Sequence, residues 1–297
     1  DYMTTAGYAW PCTTVCADTG HSAEKCQLWD SGRRSFGPCN ATTGEPWEMH
    51  DGFMNYAGLQ DLSILIVAAE TLEKLTLAWW FAPQHPNRQE YAQAAVSVFR
   101  AYFLDEATRM TPRMIYAGGV PGEFEGRAGG LIAATFRFNS RVADCAALLE
   151  TAGPELWTAA DGARWTQWQA AWAEWLSGST FGKNEASALG NHGTFAYIHR
   201  LTVDMATGNH THALDMVSKL RDKLSASLAA QIMASGEMPI ETARVTGATY
   251  SRMNLEGLFQ LGTVVTNLCA RLACNPAWDW AWEAPLPAAA AWDGPFH

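Results

Sequence analysis

The sequence lacks any apolar run of the roughly 18 residues that a membrane-spanning helix needs, so no such helix is expected. Charged residues are few, at 17% of 297 positions, and the 30 acidic residues outnumber the 20 basic residues. The formal net charge of −10 argues against nucleic acid and anionic membranes as partners. An anionic ligand fits this charge only where basic side chains gather in a local cleft.

Several common functional motifs are also missing. No GxSxG motif is present, which argues against a hydrolase with a nucleophile elbow. The glycine-rich stretch YAGGVPGEFEGRAGG, residues 116–130, lacks the Lys-Ser/Thr pair of a phosphate-binding loop and the spacing of a dinucleotide site. We interpret it as a loop that lines a substrate site, with Tyr116 at its start and Arg127 as its only cation. His192 and His199 are too far apart in sequence to form the i, i+4 zinc pair of a helix, so a zinc hydrolase is not favoured.

No Gly/Ser-rich, Pro-rich or charge-block segment divides the chain, which predicts a single domain over residues 1–297. With 48% hydrophobic residues, the chain is too apolar for disorder and long enough to bury a large core. Within this domain we expect an irregular Cys-rich segment at residues 1–52 and an irregular, Pro- and Trp-rich tail at residues 276–297. The opening DYMTTAGYAW does not have the pattern of a signal peptide, which suggests a processed or trimmed chain.

The seven cysteines indicate an oxidising compartment. Four of them lie in the first forty positions: Cys12, Cys16, Cys26 and Cys39. We expect disulfides among these four, although three pairings are possible. Zinc is the alternative for the same four, but they lack the paired CxxC spacing of structural zinc sites. Cys269 and Cys274 are close enough to clip a helix end, and Cys145 has the apolar surroundings of a buried free thiol.

Two N-glycosylation sequons agree with this compartment: NAT at Asn40 and NHT at Asn209. Together with the cysteines, they predict a secreted, extracellular eukaryotic glycoprotein. We expect it to be a monomer.

From Phe53 onward, apolar residues recur three and four positions apart, which is the period of amphipathic helices. In DGARWTQWQAAWAEWLSG, for example, we expect Asp161 to be the N-cap residue and Gly178 to end the helix. The whole pattern predicts seven or eight long helices, joined by short turns into antiparallel pairs, with no convincing strand pair. The predicted fold class is therefore all-α.

The stretch ALGNHGTFAYIHR, residues 188–200, places an amide beside an imidazole at the start of a predicted helix. Asn191 is a good N-cap residue, and on that interpretation His192 is an ordinary first-turn residue. The positive end of the helix dipole also disfavours the protonated form of a nearby histidine. The alternative is therefore that His192 serves as a base in an active site.

A second polar stretch, GEMPIETARVTGATYSRMNLEGL, covers residues 236–258. It leads from a loop with Glu241 and Arg244 into a helix opened by Tyr250. Tyr250 and Asn254 are four residues apart and therefore share one face of that helix. Simple packing of Tyr250, with Arg244 paired to Glu241, is the structural alternative to a role in binding or catalysis.

Several segments together resemble one family. DYMTTAGYAWP is similar to the opening tract of the alginate-lyase superfamily, polysaccharide lyase families 5 and 38, and YAQAAVSVFRAYFLDEATRMTPRMIYAGGVPGEFEGRAGG is similar to its central block. NHG and GEMPIETARVTGATYSRMNLEGL resemble its two catalytic blocks. The Cys-rich insert has no counterpart in this pattern, and Ala117-Gly118 replaces a more polar pair.

The resemblance implies an incomplete (α/α) toroid of antiparallel helical hairpins around a cleft, and β-elimination on an acidic polysaccharide, a 1,4-linked polyuronate. It implies that Asn191 and Arg244 bind the carboxylate of the sugar at the cleavage point, while His192 and Tyr250 handle the protons. No metal or organic cofactor is required. The remaining polar residues of these blocks are candidates for substrate binding: Arg127, Tyr116, Glu241 and Asn254.

The chemistry explains these residue types. Removal of the C5 proton beside a carboxylate creates a dianionic enolate, which a guanidinium and an amide donor stabilise. A phenol with an ordinary pKa of about 10 is protonated at neutral pH and can protonate the leaving oxygen. We further expect Arg244 to lower the pKa of Tyr250, so that Tyr250 could also serve as a base. The alternatives are an (α/α)-toroid glycoside hydrolase and a non-catalytic polyuronate-binding protein.

Overall fold

A computed structural model describes residues 3–123 and 131–274, with the side chains of residues 60, 131–138 and 220–230 excepted. Arg127 and the predicted tail at residues 276–297 lie outside the described residues.

Helices dominate the described chain, as the hydrophobic period predicts. Seven are long, and they are numbered with the three short ones in chain order: Ala23–Cys26 (α1), Gln60–Phe81 (α2), Arg88–Phe99 (α3), Leu131–Leu149 (α4), Ala159–Gly178 (α5), Thr180–Ser187 (α6), Asn191–Ala206 (α7), His210–Gln231 (α8), Pro239–Thr242 (α9) and Gly247–Leu272 (α10). A single π-helical turn, Arg100–Leu104, extends α3. The predicted number of long helices is confirmed.

The long helices pack in the order expected of a toroid built from hairpins. Helix α2 contacts both α3 and α4, α4 contacts α7, and α7 contacts α10. One core cluster lies among α2 to α5, and a second lies among α7, α8 and α10. The fold is the predicted incomplete (α/α) toroid, and its loops bring residues from distant parts of the chain to one place.

Helix α5 shows why this part of the sequence is helical. Trp165, Trp168 and Trp172 recur at helical spacing, are almost completely buried, and stack on one another. Asp161 was expected at the N-cap, but Thr158 holds that position and its hydroxyl accepts the backbone N–H of Asp161. Asp161 instead completes a capping box from inside the first turn, because its carboxylate accepts the backbone N–H of Thr158 at 2.9 Å.

Two small sheets correct the prediction that no strands pair. Met3–Thr5 (β1) pairs in parallel with Tyr116–Gly119 (β5). Ala9–Trp10 (β2) and Arg33–Arg34 (β3) pair antiparallel with the two sides of Glu48–His50 (β4). These strands have two to four residues each, which is too short for an alternating pattern to be visible in the sequence.

Three disulfides confirm the cysteine prediction and decide the pairing: Cys12–Cys39, Cys16–Cys26 and Cys269–Cys274. The four N-terminal sulfur atoms are therefore bonded to one another, which rules out the zinc alternative for this set. Cys145 is the predicted buried free thiol, and burial raises its pKa to about 12. Among the described helices, none is both long and apolar enough to cross a bilayer.

Candidate active site

A buried carboxylate fixes the start of α7. Glu241, which is 1% exposed, accepts the backbone N–H of Asn191 at 2.7 Å and the side-chain Nδ2 of Asn191 at 2.8 and 2.9 Å. Asn191 is thus the first helical residue rather than the N-cap, a position that Gly190 takes with φ 76°. A Cβ at residue 190 would lie 2.5 Å from Glu241 Oε1, so this approach requires a glycine.

The imidazole of His192 is oriented by a second carboxylate. Its Nδ1 lies 2.9 Å from Oε2 and 3.2 Å from Oε1 of Glu185, at the end of α6. A carboxylate accepts hydrogen bonds, so Nδ1 carries a proton in this contact. In the neutral form of the ring, the other nitrogen, Nε2, is then the one that can accept a proton. The side chain of His192 is 39% exposed, so a ligand can reach it.

Arg244 is held by Asp51, a residue 193 positions earlier in the chain. Its Nε donates to Asp51 Oδ2 at 2.8 Å and its Nη2 donates to Asp51 Oδ1. Burial acts to lower the pKa of Arg244, but the hydrogen bond from Arg244 to Asp51 and the charge interactions with Tyr250 and Asp51 outweigh it, so the pKa is raised and the charge is permanent. No described residue hydrogen-bonds the Nη1 of Arg244, which leaves that donor for a ligand.

Tyr250 lies directly against this cation. The guanidinium carbon of Arg244 is 3.9 Å from the centroid of the Tyr250 ring, and the Tyr250 hydroxyl hydrogen-bonds the hydroxyl of Tyr8. Burial raises the pKa of Tyr250 well above its ordinary range, and Tyr8 adds to the increase, whereas Arg244 lowers it only in part. The expectation that Arg244 would bring this pKa down was wrong, because desolvation outweighs the neighbouring charge.

The two polar stretches of the sequence therefore meet in space. Burial raises the pKa of Glu241 although its hydrogen bonds from Asn191 and the nearby Arg244 and His192 oppose the increase. Glu241 thus hydrogen-bonds the start of α7 and interacts with the charge of Arg244. Arg244 in turn packs against the ring of Tyr250. The four residues that the resemblance selected form one connected group.

A family model described as alginate lyase matches residues 44–268 of this chain, well over half of it. The chain belongs to the alginate lyase family. Its fold is similar to the crystal structure of an alginate lyase from Bacteroides ovatus, with a TM-score of 0.73 and 26% sequence identity. The match covers 90% of this chain and 62% of that one, so this alginate lyase family member spans less than two thirds of the relative. No curated protein sequence matches the chain.

The other predicted binding residues of this alginate lyase family member occupy different environments. Tyr116 is 36% exposed at the start of β5, where a ligand could contact it. Asn254 is completely buried; it accepts the Thr194 hydroxyl at 2.8 Å and donates to Gln231 at 3.1 Å. Asn254 thus braces α7 against α10, and we do not place it in the substrate site. Glu241 is likewise internal, and its carboxylate is hydrogen-bonded to Asn191.

Three residues of the group were not selected from the sequence: Tyr8, Asp51 and Glu185. Tyr8 precedes the segment that the alginate lyase family model matches, whereas the other two lie inside it. Glu185 could have been suspected, because it lies shortly before His192 in a short helix. Tyr8 and Asp51 gave no local signal.

Both predicted glycosylation positions, Asn40 and Asn209, are exposed. Among the described residues, no cluster of three or more His, Cys, Asp or Glu side chains could hold a metal ion.

Proposed function

We propose that the protein is a polysaccharide lyase that cleaves 1,4-linked polyuronates, alginate or β-1,4-glucuronan, by β-elimination to 4,5-unsaturated oligosaccharides. One observation carries the proposal: the guanidinium of Arg244, whose Nη1 has no partner among the described residues, lies against a phenol whose pKa is raised. An imidazole held by Glu185 belongs to the same group. Membership of the alginate lyase family supports the same reaction class.

The first requirement of the reaction is a place for the sugar carboxylate. Nη1 of Arg244, which has no hydrogen-bond partner in the described part of the chain, can donate to that carboxylate while Asp51 holds the other side of the guanidinium. Negative charge grows on the carboxylate as the C5 proton leaves. A fixed cation therefore stabilises the transition state more than the bound substrate, and this difference lowers the barrier. Asn191 is proposed as the second member of this clamp, with the N–H of Nδ2 that its contact with Glu241 leaves over.

The second requirement is a base and an acid. In the proposed step His192 Nε2 accepts the C5 proton, C4 and C5 become doubly bonded, and the C4–O4 bond breaks. The Tyr250 hydroxyl gives its proton to O4 of the leaving sugar. The raised pKa of Tyr250 keeps it protonated at neutral pH, which favours the acid role over the base role. His192 is therefore the base in this mechanism.

The surroundings of the site suggest how the polymer is held and where the protein works. Tyr116 and Arg127 are proposed to contact sugars beyond the cleavage point. The three disulfides and the two exposed sequons fit a secreted, extracellular glycoprotein. We propose that it acts as a monomer, without a metal or organic cofactor.

The proposal is tested by incubating the protein with polymannuronate, polyguluronate and β-1,4-glucuronan and following the ultraviolet absorbance of the unsaturated product. We expect absorbance to rise with at least one polymer. Tyr250→Phe should lower kcat by roughly 10²–10⁴, the usual range for loss of an acid or base. Tyr102→Phe is the matched control, because Tyr102 is a partly buried tyrosine packed against the first core cluster.

Two outcomes would contradict the proposed lyase function. New reducing ends without the absorbance would indicate the glycoside hydrolase alternative. Binding of a polymer without any change in it would indicate a non-catalytic polyuronate-binding protein. Full activity of Tyr250→Phe would remove Tyr250 from the mechanism.

A further inference from the structure

The hydroxyl of Tyr250 has one protein partner among the described residues, the hydroxyl of Tyr8, 242 positions earlier in the chain. The partner residue lies in the N-terminal segment, before the part that the alginate lyase family model matches. Both tyrosines are half-buried. We propose that Tyr8 is a positioning residue for the β-elimination: it aims the Tyr250 hydroxyl and donates a hydrogen bond to the Tyr250 oxygen once that oxygen has lost its proton. The inference rests on the proposed lyase function.

The backbone around Tyr8 is anchored so that its ring has a fixed position. The Tyr8 carbonyl accepts the backbone N–H of His50 at 2.9 Å. Asn55, which is 5% exposed, donates from Nδ2 to the Ala9 carbonyl at 2.9 Å, and its backbone N–H donates to the Gly7 carbonyl at 2.7 Å. Strand β2 and the two residues before it are thus fixed by hydrogen bonds to His50 and Asn55, as a positioning residue requires.

The positions of the two phenolic protons explain what the pair does. Before the reaction each phenol carries one proton, and for Tyr250 to protonate the sugar its own proton must point to O4. The Tyr8 proton then points to the Tyr250 oxygen. When Tyr250 transfers its proton to O4 and the C4–O4 bond breaks, a phenolate remains that already has a donor. A hydrogen bond to a charged oxygen is stronger than one to a neutral oxygen, so this donor favours the transfer.

The charges around the pair set its response to pH. Arg244, Asp51 and Tyr56 are the charged or titratable groups that act on Tyr8 and Tyr250. Burial raises the pKa of Tyr8, and the hydrogen bond between the two hydroxyls offsets part of the increase. Burial also raises the pKa of Tyr250, so both phenols keep their protons at neutral pH, as the proposed transfer requires.

Tyr8→Phe separates this role from simple packing, because it keeps the ring and removes only the hydroxyl. We expect kcat to fall on the order of tenfold to a hundredfold, the range of a hydrogen bond to a charged group, with little change in KM. Tyr102→Phe serves again as the control.

A double variant gives the second readout. If Tyr8 acts through Tyr250, Tyr8→Phe/Tyr250→Phe should have the same residual rate as Tyr250→Phe alone. Circular dichroism melting of all variants checks that each is folded. An unchanged kcat in Tyr8→Phe, or an additive loss in the double variant, would overturn the inference even if the wild-type protein is a lyase. A wild-type protein that forms no unsaturated product contradicts the proposed function instead, and the role of Tyr8 falls with it.

Discussion

His192 can accept a proton only if its Nε2 is unprotonated and faces the sugar, and both conditions depend on Glu185. The carboxylate accepts from Nδ1 at 2.9 Å, which assigns the ring proton to Nδ1 and fixes the plane of the imidazole. Glu185 has a side chain that is only 13% exposed, so solvent competes weakly for this contact. Removal of the charge, with the shape retained, should therefore affect the rate.

Glu185→Gln makes this prediction specific. A glutamine amide can donate to Nδ1, which would place the ring proton on Nε2 and block proton abstraction. We expect kcat to fall by about 10² or more, with KM nearly unchanged, by analogy with loss of the orienting carboxylate in other acid–base sites. Glu174→Gln on the exposed face of α5 is the matched control. Equal kcat values for the two variants would show that Glu185 does not set the tautomer.

At the residue scale, sequence reasoning selected Asn191, His192, Arg244 and Tyr250 because each lies in a short block with a recognisable order. It could not select Tyr8 or Asp51, since their partners lie 242 and 193 positions away and no local pattern encodes such a contact. It also assigned Tyr250 a lowered pKa from its charged neighbour. The depth of burial, which reverses that direction, is a property of the folded chain.

At the scale of elements, the N-terminal segment before α2 is part of the site although it contains little helix. Its short strands β2 and β4 place Tyr8 beside Tyr250 at the start of α10 and Asp51 beside Arg244 just before that helix. The long helices were predictable because their apolar period extends over many turns. Strands of two or three residues have no such signal, so the sequence suggested only irregular chain where two site residues are held.

The disulfides test whether this segment contributes to activity or only to stability. Cys12→Ser/Cys39→Ser opens a loop with a sequence separation of 27, and we expect a loss of about 3–4 kcal/mol in the free energy of unfolding. Cys269→Ser/Cys274→Ser opens a separation of 5, with an expected loss of about 2 kcal/mol. The first variant should also lose kcat/KM severalfold at a temperature where both remain folded, because only it loosens the segment that carries Tyr8 and Asp51.

Urea unfolding and initial rates measured on the same samples would separate the two effects. The C-terminal pair is the control, since it closes the end of α10 away from Tyr8 and Asp51. Equal relative activity of the two double variants would mean that the N-terminal segment is held without its disulfide.

At the scale of the whole molecule, a protein of net charge −10 is proposed to bind a polyanion. The long-range repulsion between the net charge of the protein and the polymer therefore opposes the short-range attraction between Arg244 and a sugar carboxylate. The cation that matters most, Arg244, is partly buried and paired with Asp51, so its contact with a sugar carboxylate is screened less than charges on the surface. Salt should consequently weaken the repulsion more than the attraction.

We expect KM for a polyuronate to fall by a factor of about two or more when NaCl is raised from about 10 to about 150 mM, because the screening length shrinks from about 30 Å to about 8 Å. The value of kcat should stay nearly constant, since the proton transfers occur beside Arg244. Exchange of three exposed acids for glutamine, Glu106, Glu155 and Glu174, changes the net charge from −10 to −7 and should reduce the salt effect. A KM that rises with salt would show instead that exposed cations near the cleft dominate encounter with the polymer.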